Sequence, residues 1–265
     1  MKNELFTVGP FTVYGYGLMI ALGIVAGYFV MEYRARKQKL AYEHIFYIVV
    51  WCLLGGFLVS KILYWITEWR TIVRDPMFML QTIFDGFVVY GGILGGILAG
   101  WCYCKKKHLE FLRYFDLAVP SLALAQSFGR IGCFLAGCCY GKETTGPISI
   151  VFTESDFAPN HVHLVPTQLY SGALDFLLFL FLLKVSKHKK SDGQTAGFYL
   201  LFYSVGRFIL EFFRGDAERG MVGIFSTSQF ISLFTGAAGM IILLLTFQKE
   251  SLASGVQGTK QGKKE

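Results

Sequence analysis

The residues of this 265-residue chain that could do chemistry are conspicuous because so little around them can. Hydrophobic types make up 54% of the sequence against 16% charged, with a mean hydropathy of +0.48, which is the balance of an integral membrane protein. An ionisable side chain inside a bilayer costs about 2.5 to 3.5 kcal/mol on insertion scales, so those within the apolar runs mark a site or a pathway. Arg130, Arg207, Glu211 and Arg214 are such residues. Glu211 lies four positions after Arg207, and Arg214 three further on, so the three fall on one helical stripe with Tyr203. One arginine neutralises Glu211; the remaining guanidinium and Arg130 call for an anion, and at this depth the available anion is a phospholipid phosphate held by bidentate hydrogen bonds. The competing reading is a buried Arg-Glu network that only fixes helix register.

Around these cations the sequence sets Tyr16, Tyr90, Gln126 and Gln168, with Gly91 and Gly92 letting a lipid headgroup approach the backbone. Tyr90 is either a proton-transfer group or an interfacial aromatic anchor. Cys133, Cys138 and Cys139 suggest a redox or acyl-carrier site, but packing or a disulfide from Cys133 to one of the pair is the simpler expectation. Their spacing is not that of a metal site, and His161 and His163 are too loosely placed to complete one, so no metal and no cofactor are expected.

Seven apolar stretches must position these residues: 14–31, 45–66, 86–104, 112–131, 167–185, 195–213 and 227–247. Arg34, Arg36, Lys37 and Lys39 follow the first stretch rather than precede it, which excludes a cleavable signal and puts the N-terminus outside. The runs at 105–107, 184–190 and 249–264 then fall on the same side, which is cytoplasmic, while Arg70, Arg74, Arg214 and Arg219 neighbour acidic residues on the other. The net charge of +7 thus records membrane orientation, and a nucleic-acid role is not expected. In this arrangement Tyr16, Tyr90, Gln126, Arg130, Gln168, Arg207, Glu211 and Arg214 converge in the outer half of the membrane. Lys61 is close enough to the end of its span to snorkel, and Asp175 is isolated in the fifth. Gly92, Gly96 and Gly100, with Gly91, Gly95 and Ala99 offset by one, prepare the third span for close packing. The expectation is an all-α polytopic membrane protein: a seven-span domain over 1–247, a small external cap at 138–166 with strand character near 148–152, and a disordered cytoplasmic tail at 248–265.

The stretch Gly129-Arg130-Ile131-Gly132-Cys133-Phe134-Leu135-Ala136-Gly137 resembles the signature of the prolipoprotein diacylglyceryl transferase family. Tyr16-Gly17-Leu18-Met19, Tyr90-Gly91-Gly92, Asp116-x-x-x-Pro120, Pro166-Thr167-Gln168-Leu169-Tyr170 and Gly206-Arg207-Phe208-Ile209-x-Glu211-Phe212-Phe213-Arg214 look like further landmarks in family order. The resemblance implies a seven-span enzyme of the bacterial plasma membrane. It would move the diacylglyceryl group of phosphatidylglycerol to the lipobox cysteine thiol of a prolipoprotein signal peptide, releasing glycerol-1-phosphate. It also implies that Arg130 and Arg207 bind phosphate. Five positions depart from the family: Tyr90 and Val165 stand where it has His, Cys133 and Ala136 where it has Asn, and Cys138 where it has Glu. With that His absent, Tyr90, Glu211 or the arginine field itself is the candidate that makes the acceptor thiolate. Two alternatives remain: a paralogue using another lipid donor or acceptor, and a lipid-binding or transport protein without chemistry.

Overall fold

A computed structural model describes residues 4–8, 11–83, 85–216 and 220–261. Strands β1 (Glu4–Val8) and β2 (Phe11–Tyr14) pair antiparallel and lead into α1 (Gly15–Lys37). Next come α2 (Ile45–Thr67), the short α3 (Trp69–Arg74) and α4 (Phe78–Gln81), and α5 (Val89–Lys106). The long α6 (Phe111–Ala136) is followed by an irregular stretch containing β3 (Ile150–Val151) and β4 (His163–Leu164), which pair with each other. The chain ends in α7 (Thr167–His188), α8 (Gln194–Leu210), the paired β5 (Met221–Val222) and β6 (Phe225–Ser226), and α9 (Thr227–Gln261). Neither the β1-β2 pair nor the β5-β6 pair is anticipated by the sequence reading. Helix α9 runs through much of the stretch expected to be a disordered tail, while Lys264, Glu218 and Arg219 lie outside the described residues.

Among the described residues six helices, α1, α2, α6, α7, α8 and α9, are long and apolar enough to cross a membrane. The third expected span is also a helix, α5, but its 18 residues include Lys105 and Lys106 and five glycines, which dilute its apolar character.

The chain divides into two compact units, residues 32–114 and the remainder. In the first, α2 and α5 approach closely because glycines face each other. A Cβ on Gly56 would lie 2.9 Å from the Gly92 carbonyl oxygen, and one on Gly91 would lie 2.7 Å from Ser60 Cα. The tightest ridge of α5 is therefore Gly91 and Gly95, whereas a Cβ on Gly92 would meet nothing nearer than 3.9 Å. Lys61 does not snorkel. It is buried, and its ammonium donates to the Thr82 carbonyl, to Asp85 O at 2.6 Å and to Gly86 O at 3.2 Å, pinning the segment before α5.

In the second unit α6, α7 and α8 share a core of Val119, Ala123, Leu178, Leu182, Ala196 and Tyr199. Gly23 and Gly27, one turn apart on α1, lie against the backbone of α6, with Cβ positions 3.0 Å from Ala125 O and 3.1 Å from Ser121 O. Asp116 is fully buried on α6 and caps α8 from outside it. Its carboxylate accepts hydrogen bonds from the backbone N–H groups of Gly193 (2.9 Å) and Ala196 (2.8 Å), and it pairs with Lys189 at 2.9 Å. The α6–α7 connection has a small apolar cluster of its own, Phe152, Ala158 and Leu164, against Phe134 and Tyr140.

Candidate active site

The site is built where three helices end. Arg130 sits two turns from the end of α6, Thr167, Gln168 and Ser171 occupy the first turns of α7, and Arg207 and Leu210 the last turn of α8. With Cys139 and Arg214 from the connecting segments, these residues line one small cavity, with free space of about 10 Å³, roughly the room of one water. Gly172 lets α6 and α7 close on each other here: a Cβ on it would stand 3.4 Å from Arg130 Cβ, and Ser127 Oγ donates to Gly172 O at 2.9 Å.

Among the described residues, three guanidiniums and no carboxylate line the cavity. The balancing acids stand away from the cavity wall: Asp175 Oδ2 is 4.0 Å from Arg130 Nε, and Glu211 Oε2 is 3.2 Å from Arg207 Nη2. Asp216 takes Arg214 through both oxygens, Nε to Oδ1 at 3.0 Å and Nη2 to Oδ2. Arg207 also donates to Ser228 Oγ at 3.0 Å. The arginines are thus oriented by acids outside the cavity lining, and the first turn of α7 adds the positive end of a helix dipole. Burial opposes the charge on Arg214, but its hydrogen bonds to Asp216 and the neighbouring Cys139 outweigh that and hold it above the usual range. Gln168 is buried, donates Nε2 to the Cys138 carbonyl at 2.9 Å, and has no hydrogen-bond partner at Oε1.

The stripe expected along α8 is broken. Helix α8 ends at Leu210 and Glu211–Phe213 tightens into a 3-10 turn, so Arg214 leaves the stripe and pairs with Asp216 instead of Glu211. Asp175 is not isolated. The signal for it was present, since Thr167, Ser171 and Asp175 follow at intervals of four along α7. Gln126 is not a lining residue; its Oε1 accepts from Tyr199 Oη at 2.9 Å. Tyr16 packs beside Gly132, where its Cδ2 is 3.2 Å from the position of a Cβ. Tyr90, Gly91 and Gly92 belong to the other unit, where Tyr90 is 40% exposed.

The three cysteines draw together. Gly137 (φ +76°) and Cys139 (φ +59°) take the left-handed conformation and turn the chain back, and Cys138 N–H donates to Cys133 O at 3.1 Å. All three sulfurs lie within 4.8 Å of one another as free thiols, so the expected disulfide is not formed. Hydrogen bonds from the Cys133 and Cys138 thiols, then the charges of Arg214 and Arg130, push the Cys139 thiol well below its ordinary range. A larger hollow, about 780 Å³ in the 32–114 unit, is lined mainly by apolar side chains such as Trp51, Leu54 and Leu98, so chemistry rather than size locates the site.

Fold and cavity together define a helical, multi-pass membrane protein with a small cavity lined by Arg130, Arg207 and Arg214. The sequence matches the model of the prolipoprotein diacylglyceryl transferase family over residues 3–245, and the chain belongs to that family. It is 49% identical to the phosphatidylglycerol--prolipoprotein diacylglyceryl transferase of Clostridium tetani over 91% of this chain and 96% of the relative. The second enzyme of that name from Clostridium perfringens is 46% identical over 91% and 94%, and the one from Finegoldia magna 31% over 96% and 99%.

Proposed function

We propose that this protein transfers the diacylglyceryl group of phosphatidylglycerol to the thiol of a lipobox cysteine in a prolipoprotein signal peptide. A thioether forms and glycerol-1-phosphate leaves. Membership of the family supports this, but the observation that carries it is the convergence of Arg130, Arg207 and Arg214 on one cavity wall. Phosphate charge develops as the C–O bond breaks, and preorganised guanidiniums in a low-dielectric site stabilise that charge in the transition state. Glu211 and Asp216 hold the Arg207 and Arg214 forks from behind, Asp175 faces Arg130 at 4.0 Å, and Gln168 Oε1 is an acceptor for a glycerol hydroxyl.

The reading includes a bacterial plasma-membrane location with seven spans, α5 being the seventh, the N-terminus outside and the C-terminus in the cytoplasm. Residues 138–166 then form an external cap, and the cavity lies in the outer half of the bilayer, where lipid and secreted preprotein meet. Basic residues at the ends of α1, α5 and α7 support this orientation. Of the candidates for forming the acceptor thiolate, Glu211 is already held by Arg207 at 3.2 Å, which disfavours it as a base; Tyr90 and the arginine field remain. Complementation of a strain depleted of its own transferase, scored by the mobility shift of a lipobox substrate, tests the proposal. Failure of well-expressed, correctly inserted protein overturns it.

A further inference from the structure

We infer that Cys133, Cys138 and Cys139 form a three-thiolate zinc site whose fourth position receives the acceptor cysteine and presents it, as a zinc-bound thiolate, beside the arginine cavity. The inference rests on the transferase reading above and supplies the thiol activation that the residues matching the family pattern leave open.

The geometry comes first. Thiolates around a tetrahedral zinc at about 2.3 Å stand about 3.8 Å apart, so sulfurs already within 4.8 Å of one another need contract by at most about 1 Å per pair. The backbone is shaped to gather them. Cys133 is in the last turn of α6, the left-handed Gly137 and Cys139 fold the next residues back onto it, and the turn is tied to α7. Thr167 Oγ1 donates to Cys139 O and Gln168 Nε2 to Cys138 O, both at 2.9 Å. Such outer contacts orient metal ligands. Among the described residues no fourth His, Cys, Asp or Glu joins the group, and three protein ligands with one open position is the pattern of a reactive rather than a structural zinc.

Position and charge favour the same use. Cys139 shares the cavity wall with Arg130, Arg207 and Arg214, so a sulfur bound at the fourth position stands next to the phosphate cradle. A zinc dication with three thiolates carries one negative charge and with a fourth thiolate two, and the neighbouring arginines offset it. Coordination strips the acceptor thiol of its proton at neutral pH while leaving a sulfur lone pair. That pair forms the C–S bond to the glyceryl carbon as the C–O bond breaks, and the C–O electron pair stays on the phosphate oxygen. The thiol proton passes to water or ends on the phosphate monoester, and no electrons are gained or lost. The product thioether, a neutral and weaker ligand, then leaves the metal.

The test uses the full chain purified in detergent without chelator. Metal analysis should give about one zinc per chain, lost in Cys133→Ser and Cys139→Ser and kept in Cys102→Ser, whose thiol is exposed in the other unit. In protein loaded with Co²⁺ instead, a lipobox peptide should shift the sulfur-to-cobalt and ligand-field bands, and the same peptide with serine for cysteine should not. This titration needs only the wild-type protein, so misfolding of a variant does not leave the question open. Absence of zinc and of Co²⁺ uptake overturns the inference, as do cobalt bands indifferent to the peptide thiol. Full transfer by metal-free protein overturns it while leaving the transferase reading intact. No transfer to any lipobox acceptor, with the bands still responding to the thiol, overturns the transferase reading instead.

Discussion

Replacing Arg130 with alanine separates phosphate binding from structural support more cleanly than any other change at the cavity. Arg207 is held by both Glu211 at 3.2 Å and Ser228 at 3.0 Å, so its removal takes a cation from beside a buried carboxylate and costs stability as well as activity. Arg130 touches its acid, Asp175, only at 4.0 Å, beyond hydrogen-bonding range, and its side chain is 19% exposed. The structural loss in Arg130→Ala is therefore mainly the stranded Asp175, and the double change Arg130→Ala, Asp175→Asn removes that too. The functional loss should match that of a preorganised donor to a developing oxyanion, about 2.7 to 4 kcal/mol, or roughly 10² to 10³ in turnover. Turnover is followed by release of glycerol-1-phosphate from phosphatidylglycerol vesicles containing the purified protein and a lipobox peptide, with thermal unfolding in detergent measured alongside. The expected pattern is a melting temperature restored in the double variant and an activity that is not. Arg130→Lys, which keeps the charge but loses the planar fork, should fall between wild type and alanine. Wild-type turnover in Arg130→Ala, or recovery of turnover in the double variant, would refute the phosphate-cradle reasoning and leave Arg130 a register-fixing residue.

Two further outcomes follow from the packing. Asp116→Ala removes the cap on α8 and leaves Lys189 without its buried partner, so thermal or denaturant unfolding should show a loss of about 3 kcal/mol, with activity per folded molecule preserved. Gly95→Ala sets a Cβ 2.6 Å from Val59 Cβ across the α2-α5 contact and should destabilise the 32–114 unit by about 1 to 3 kcal/mol, visible as faster proteolysis of that unit.

The spans were legible in the sequence because apolar length and the placement of lysine and arginine are local signals, and the helices begin and end within a few residues of the expected positions for six of the seven stretches. The arginines were legible for the same reason: a charge inside an apolar run has few innocent explanations. What escaped was pairing between elements. Nothing local links Asp175 to Arg130, Asp116 to the start of α8, or Lys61 to the carbonyls of residues 82, 85 and 86, because each partner is brought by another helix or by a loop. The mutual approach of the three cysteines escaped because their spacing in sequence presumes ordinary helix or loop geometry. Here two residues at positive φ, Gly137 and Cys139, reverse the chain and gather sulfurs that a helix would have splayed apart. The pairing of Arg214 with Asp216 escaped because a stripe drawn by periodicity assumes that the helix continues, and α8 stops one residue before Glu211.

The central claim is that the arginine cavity is where phosphatidylglycerol gives up its diacylglyceryl group to a cysteine thiol. The most direct measurement is mass spectrometry of a lipobox peptide incubated with the purified protein in phosphatidylglycerol vesicles. The account predicts a mass gain of one diacylglyceryl group on the cysteine, with an equal amount of glycerol-1-phosphate released, and none on the serine peptide. An unmodified cysteine peptide in the presence of folded, lipid-embedded protein would contradict it.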